Sequence, residues 1–302
     1  MANSSAKSNY DYKKLVVDDP EDPYYVQVGG NNGKEAGGLN ETTRLVPWHV
    51  IRIPFRHFIK VVISLPLGAF IFCVFWALYT DYDRATTVLC THDMNKPVRN
   101  YLPSLSAAIG DFQPSQQIWK ACIIIHAPGR FLFASMYLTY LKKVIVPQNV
   151  KWAILACLFH VIEIIGLIGL TVVTSKHNLF VHAVNFGLFV VFSQLYMIIL
   201  CMLLSGCRKV EMNRLEQRGL ILKRILSKVA IICSVLLFVT YYRHESRCEE
   251  GMYTIFALLE YTVVLANIGF NGSAYWDFYD RIIVVDFFRP CKMPTYKYSW
   301  DY

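Results

Sequence analysis

One stretch near the C-terminus, residues 251–271, is long and apolar enough to cross a membrane, yet it carries polar residues in its interior. A helix of about 20 such residues spans the hydrocarbon core of a bilayer. Glu260, Asn267 and Asn271 are separated by seven and four residues, so they share one helical face. A carboxylate in hydrocarbon is costly unless it is paired, protonated or next to a wet cavity. The stretch therefore predicts a polar stripe that faces other membrane helices.

The composition of the whole chain is typical of a protein with several membrane spans. Of its 302 residues, 55% are hydrophobic and only 17% are charged, and the mean hydropathy is +0.35. Five further apolar runs precede the stretch described above. We therefore predict an all-α bundle of six transmembrane helices. The predicted spans are residues 61–79, 117–141, 152–174, 180–205, 225–242 and 251–271.

The regions outside the spans are polar and predict three parts of the chain. Residues 1–45 are rich in Asn, Ser, Gly and charged residues, which is typical of a disordered tail. Residues 46–285 form the predicted membrane domain, and residues 286–302 form a C-terminal tail. The apolar run 282–288 is too short to span a bilayer, so we predict that it lies at the interface.

Basic residues between the spans predict which side of the membrane each loop faces. Lys and Arg number eighteen on the side of the two termini and six on the opposite side. Because cytosolic loops carry the excess of basic residues, both termini are expected in the cytosol. The other loops then face the lumen of a secretory compartment or the exterior. The net charge of +8 is explained in this way, and no nucleic-acid partner is predicted.

The predicted orientation separates two of the nine cysteines from the rest, since only Cys90 and Cys248 fall on the non-cytosolic side. Two thiols alone in an oxidising compartment favour a disulfide. The alternative is two unpaired thiols whose Cα atoms lie more than about 7 Å apart. The chain has no Cys-x-x-Cys and no His-Glu-x-x-His, so we predict no metal site and no cofactor.

Charged side chains also occur inside the other predicted spans. His126 and Arg130 are four residues apart and share a face of the second span. An arginine at that depth needs a carboxylate or phosphate partner, and Glu163 in the third span is the obvious candidate. The structural alternative is an ion pair of Arg130 with Glu163 or Glu260 that only fixes the bundle.

The polar residues of the spans contain the parts of an acyl-transfer site. Such a site needs a general base, a group that orients it and donors for a developing oxyanion. The predicted catalytic residues are His126 or His182 as the base and Glu163 or Glu260 as the orienting acid. The predicted substrate-binding residues are Arg130, Asn185, Arg243, His244 and Tyr101. No Gly-x-Ser-x-Gly pattern is present, and direct transfer of an acyl group to a substrate hydroxyl would not need one.

Several short sequence motifs resemble those of a known family. They are NYLPS at 100–104 and SAAIG at 106–110 in the first loop, and YTIFA at 253–257, LEYTVVL at 259–265 and WDF at 276–278 around the last span. Together they resemble the Frag/DRAM/Sfk family of multi-span membrane proteins over about residues 45–285. The chain departs from the family pattern at Pro128, one place early in its motif, and at His160, where Asn is more frequent.

The resemblance implies fatty-acid remodelling of glycosylphosphatidylinositol (GPI) anchors on the luminal leaflet. The implied reaction is reacylation of lyso-GPI at the sn-2 position with a saturated fatty acid, and the acyl donor stays open. Membrane lipid and GPI-anchored proteins are the implied substrates, and other GPI-remodelling membrane proteins are candidate partners. The implied location is the membrane of the Golgi apparatus or of the endoplasmic reticulum.

Two other classes of function stay open. Other branches of the same family favour a non-enzymatic protein that handles lipid or holds a partner enzyme, with the polar stripe used only for assembly. A proton-coupled transporter could use the carboxylates and histidines as a relay. The chain has no inverted repeat and no matched pair of broken helices, which argues against transport.

Overall fold

The computed structural model describes residues 42–90, 96–110 and 112–293. Six long helices coincide with the six predicted apolar runs: α1 Phe55–Thr80, α4 Ser115–Val144, α5 Val150–Val172, α6 Leu179–Gly206, α7 Arg214–Arg247 and α8 Met252–Gly272. Three short helices accompany them: α2 Tyr82–Thr86, α3 Leu105–Gly110 and α9 Ala274–Asp277. The predicted helical class is therefore confirmed.

Five of the long helices are long and apolar enough to cross a membrane, namely α1, α4, α5, α6 and α8. The sixth, α7, begins before the predicted span, because Asn213 and Glu216 form a capping box at its start. Its first turns are basic, with Arg214 and Arg218. The count of six membrane spans therefore stays a prediction, as does the cytosolic position of the termini.

The long helices pack in chain order, since α1 contacts α4, α4 contacts α5, and so on to α8, which returns to α1. Successive long helices are antiparallel, and a 3-10 turn at Pro147–Asn149 lies between α4 and α5. One end of the bundle carries the connections 81–114, 173–178 and 248–251. We call it the disulfide end, for the bond described next, and the opposite end the basic end.

At the disulfide end a small hairpin is bonded covalently to the helices. Strands β2 Thr87–Cys90 and β3 Lys96–Arg99 pair antiparallel. Cys90 forms a disulfide with Cys248, and their Cα atoms are 5.6 Å apart. The predicted disulfide is thus present. It fixes the first long loop to the turn between α7 and α8.

Two glycines bring α5 and α6 close together near the disulfide end. A Cβ atom added at Gly166 would lie 2.8 Å from the backbone nitrogen of Phe189. One added at Gly169 would lie 2.0 Å from the side-chain oxygen of Asn185. Small residues permit such close contact between membrane helices. Asn185 is consequently packed at this helix interface, where its Nδ2 donates to the carbonyl of Val181 at 2.8 Å.

A second compact unit contains the two terminal regions. Strands β1 Thr42–Pro54 and β4 Ile282–Met293 form a two-stranded sheet. The sequence analysis predicted neither strand, so the structure adds short strands to the predicted all-α class. The predicted interfacial segment 282–288 lies in β4. Of the predicted tails, residues 1–41 and 294–302 lie outside the described residues.

The disulfide should contribute measurably to stability. It closes a loop of 158 residues in sequence, and a disulfide typically adds about 2–4 kcal/mol by restricting the unfolded chain. We expect Cys90→Ser to lower the melting temperature of the detergent-solubilised protein under oxidising conditions. The double variant Cys90→Ser/Cys248→Ser should melt close to the single variant, because both lose the same bond. Cys233→Ser, at a free cysteine of α7, is the control. A melting temperature equal to that of the wild type would contradict the prediction.

Candidate functional site

The segment 101–105, which leads into α3, is fixed along α8 by four hydrogen bonds. Two tyrosine hydroxyls of α8 donate: Tyr253 to Ser104 Oγ (3.0 Å) and Tyr261 to the Pro103 carbonyl (2.5 Å). Two other α8 side chains accept from backbone N–H groups: Thr254 Oγ1 from Tyr101 (2.8 Å) and Glu260 Oε2 from Leu105 (2.8 Å). Glu260 is only 4% exposed, so this bond supplies its charged form with a donor in place of water.

A second polar cluster lies deeper in the bundle and joins three helices. Arg130 of α4 donates to Glu163 of α5, with Nη2 and Oε1 2.7 Å apart. The same oxygen accepts from Asn267 Nδ2 of α8 at 2.8 Å. Arg130 also donates to His160 Nε2, at 3.2 Å from Nη2. All four side chains are at most 3% exposed. The predicted Arg130–Glu163 ion pair is therefore present, and it neutralises two charges inside the bundle.

A serine and a histidine meet near the disulfide end, where α3 faces α6. Ser106 Oγ and His182 Nε2 are 3.0 Å apart. The other ring nitrogen, Nδ1, lies 2.8 Å from the carbonyl oxygen of Val173, just after α5. A carbonyl only accepts hydrogen bonds, so Nδ1 carries the ring proton when the histidine is neutral. Nε2 is then an acceptor, and the Ser106 hydroxyl donates to it.

Ser106 and His182 line a cavity of about 60 Å³ between the helices. By the usual measure this volume holds about four water molecules. Glu260 and Thr174 contribute further polar atoms to its wall, and the remaining lining is apolar. Such a cavity suits a ligand that is mostly hydrocarbon and has one polar group to be oriented.

A smaller cavity of about 20 Å³ adjoins the first on the side of the ion pair. His126, Arg130 and Asn267 supply its polar lining. His126 is 1% exposed, and its Nδ1 has no hydrogen-bond partner within the part of the chain that the structure describes. The two cavities share four lining residues, so a wall one side chain thick separates them. These shared residues are Trp119, Leu167, Phe189 and Val264.

The predicted site residues thus divide into two groups. The cavities bring together His126, Arg130, His182 and Glu260, while Glu163 lies behind Arg130. The others, which line neither cavity, are Asn185, Arg243, His244 and Tyr101. Of the latter group, Arg243 pairs with Glu249 at 2.7 Å in a partly exposed position, and Tyr101 is 71% exposed.

His244 is buried near the disulfide, and its ring lies 4.9 Å from that of Tyr253. The site contains one residue that the sequence analysis missed, Ser106. Ser106 lies in the SAAIG motif at 106–110, which is part of the family resemblance. This motif could have indicated that Ser106 is a site residue, but nothing in the sequence places it beside His182.

A bundle of apolar helices with buried polar cavities defines an integral membrane protein, and comparison with known proteins gives its family. The chain belongs to the Frag1/DRAM/Sfk1/Cwh43P family, whose N-terminal domain model matches residues 54–281. It is 40% identical to post-GPI attachment to proteins factor 2 of Drosophila pseudoobscura pseudoobscura, over 78% of this chain and 90% of the relative. It is 37% identical to Acyltransferase PGAP2 of Xenopus tropicalis, over 76% and 90% of the two chains. No solved structure matches the chain.

Removing one partner of the buried ion pair should cost more than removing both. Arg130→Met leaves the Glu163 carboxylate buried without its counter-charge, a change that typically costs about 3–5 kcal/mol. We expect a large fall in melting temperature, and substantial recovery in Arg130→Met/Glu163→Gln, where Asn267 keeps an acceptor. Arg243→Met is the control, since partly exposed ion pairs contribute only about 0–1 kcal/mol. A double variant as unstable as Arg130→Met would contradict the proposed coupling.

The bond from Leu105 N–H to Glu260 should control local opening of the 101–105 segment. A hydrogen bond to a charged group contributes about 1.5–3 kcal/mol, so Glu260→Leu should speed amide exchange there by roughly ten- to a hundredfold. Glu260→Gln retains an acceptor oxygen and should show a much smaller change. Hydrogen–deuterium exchange of the peptide that contains Leu105 measures this effect, with α5 peptides as the reference. Equal exchange in both variants would refute this role of Glu260.

Proposed function

We propose that this protein remodels the lipid of GPI anchors by transferring a saturated acyl chain to the sn-2 hydroxyl of lyso-GPI. The relatives named post-GPI attachment to proteins factor 2 support the substrate class, and the relative named Acyltransferase PGAP2 supports the reaction type. Membrane lipid and GPI-anchored proteins are then the substrates. The reaction takes place within the bundle, at the cavity lined by Ser106 and His182.

The observation that carries the proposal is the hydrogen-bonded state of His182. Its Nδ1–H donates to the Val173 carbonyl, which leaves Nε2 as the basic nitrogen directed at a hydroxyl. A base in this arrangement promotes acyl transfer to an alcohol, because the alcohol must lose its proton as its oxygen attacks the acyl carbon. The fixed tautomer and ring orientation mean that the base is already positioned before substrate binds.

The lining of the cavity supports a lipid substrate. Apart from its few polar atoms, the wall consists of side chains such as Trp119, Leu167 and Phe189. The part of an acyl chain next to its ester can contact these side chains without leaving polar groups unpaired, and water is largely excluded from the reacting ester. His126 and Arg130 line the adjoining cavity, on the other side of this wall. Arg130 is already paired with Glu163, so its predicted contact with a phosphate stays a prediction.

Two independent features support a luminal position for the reaction. The Cys90–Cys248 disulfide is typical of an oxidising compartment, which supports a luminal position of the disulfide end. The excess of Lys and Arg at the other end supports the same orientation by the positive-inside rule. Ser106 and His182 lie towards the disulfide end. We therefore propose that the protein acts on the luminal leaflet, in the membrane of the Golgi apparatus or the endoplasmic reticulum.

The test is acyl transfer by the purified protein. The full chain is reconstituted in liposomes with lyso-GPI and a phospholipid that carries a labelled saturated chain, and labelled diacyl-GPI is measured. Loss of a general base typically costs about 10²–10⁴-fold in rate, so His182→Ala should reduce product formation by at least about 100-fold. His177→Ala is the matched control, because His177 is exposed in the turn just before α6 and lines neither cavity.

Each result of this assay discriminates between functions. Product from the wild type that is lost in His182→Ala but not in His177→Ala supports the proposed transfer at this cavity. Equal product from His182→Ala would exclude His182 as the base. If the folded wild type gives no product with a series of phospholipid donors, the transfer is refuted. The non-enzymatic lipid-handling protein would then be favoured, with the polar clusters serving only to assemble the bundle.

A further inference from the structure

The hydroxyl of Ser106 is bonded differently from those of several other serines in the described part of the chain. The usual bond of a helical serine is to a carbonyl three or four residues earlier in the same helix. Five serines of this chain follow that pattern: Ser64, Ser135, Ser193, Ser205 and Ser273. Ser106 instead bonds a histidine 76 residues away in sequence. A hydroxyl with that partner is polarised as a nucleophile.

The pair is supported from three directions. Ser106 lies one residue after Leu105, whose N–H is bonded to Glu260 of α8. His182 lies in the first turn of α6 and is oriented by the carbonyl of Val173. Nucleophile, base and a third group that orients the base are the three parts of an activated serine. Here the backbone carbonyl of Val173 takes the place that an acidic side chain has in Ser-His-Asp triads.

We propose that Ser106 is a covalent nucleophile, which accepts the acyl chain from a lipid ester and passes it to the acceptor hydroxyl. This inference rests on the proposed acyl transfer and adds an acyl-enzyme to it. It replaces the direct transfer that the sequence analysis expected from the lack of Gly-x-Ser-x-Gly. Ser106 occupies a short helix of the loop region, not the strand-to-helix turn in which that pattern occurs.

The two half-reactions balance in atoms and charge. In the first, Ser106 Oγ attacks the carbonyl carbon of the donor ester while its proton moves to His182 Nε2. The bond from that carbon to the donor alkoxide breaks, the alkoxide takes the proton from Nε2, and a lysolipid leaves. In the second, the acceptor hydroxyl gives its proton to Nε2 and its oxygen attacks the acyl carbon. The bond to Ser106 Oγ then breaks, and Oγ recovers the proton.

The position of the pair selects the class of donor. A water-soluble cytosolic thioester would have to cross the bundle to reach a cavity near the disulfide end. A membrane glycerophospholipid is already in the bilayer around the bundle, with its ester close to the polar interface. An acylated serine also explains how donor and acceptor, both lipids with large headgroups, could use one small cavity, since they would occupy it in turn.

The experiment separates the two half-reactions. The purified full chain is incubated in phosphatidylcholine vesicles that carry a radiolabelled palmitoyl chain, without lyso-GPI, and is then denatured in acid. We expect label on the protein, located by mass spectrometry on the peptide that contains Ser106. Addition of lyso-GPI should move the label to diacyl-GPI. Ser106→Ala should lose label and product by at least 100-fold, whereas Ser135→Ala, a serine of α4 remote from the cavity, should retain both.

Ser106→Cys distinguishes chemistry from a structural role. A cysteine at this position should form a thioester, so its label should be released by neutral hydroxylamine, unlike the oxygen ester of the wild type. Initial-rate kinetics with varied donor and acceptor should give the parallel reciprocal plots of a ping-pong reaction. Product from Ser106→Ala at the wild-type rate, or product from the wild type with no protein-bound label, would overturn the inference and leave the proposed function intact. Label on Ser106 with no transfer to lyso-GPI would support the nucleophile and refute the proposed acceptor.

Discussion

The buried guanidinium of Arg130 is the constraint on which the arrangement of the helices depends. A permanent cation surrounded by apolar helices is tolerated only when protein groups replace its water. Glu163 and His160 of α5 provide that replacement, and Asn267 of α8 donates a second hydrogen bond to Glu163. Three helices are thereby fixed in register at one depth. Apolar packing alone would not choose among rotations of each helix, because lipid is as apolar as the side chains.

From this depth towards the disulfide end, α8 carries the arrangement to the reacting groups. The face that holds Asn267 also holds Glu260, seven residues and two turns earlier, and there it meets the backbone of Leu105. The short helix α3 is thus placed by the same element that stabilises the ion pair. The disulfide adds a covalent restraint to the same loop from α7. Ser106 therefore occupies a defined position, although it belongs to a connecting region.

Sequence reasoning identified the contacts that physical necessity imposes. A buried arginine requires an anion, and Glu163 was available at a suitable depth; two thiols isolated on one side of a membrane favour each other. It did not identify contacts that depend on how a loop folds back. Ser106 and His182 are 76 residues apart, and no periodicity relates them. Glu260 was predicted to be an orienting acid because a carboxylate commonly orients a histidine base. In the structure Glu260 accepts a hydrogen bond from a backbone N–H, a partner that the sequence does not reveal. The strands β1 and β4 were missed for the same reason, since each pairs with a distant segment.

The division of charge between the two clusters agrees with the chemistry proposed. The fixed charges, Arg130 and Glu163, neutralise each other and are occupied in holding helices together. The proposed transfer uses the neutral forms of Ser106 and His182, so the reacting pair adds no permanent charge to the cavity wall. A proton moved from Oγ to Nε2 creates an ion pair only while the acyl carbon is tetrahedral, and in a medium of low polarity that attraction is strong. A neutral serine and histidine are therefore a less costly way to carry acyl transfer in this setting than a carboxylate that must stay ionised within the membrane.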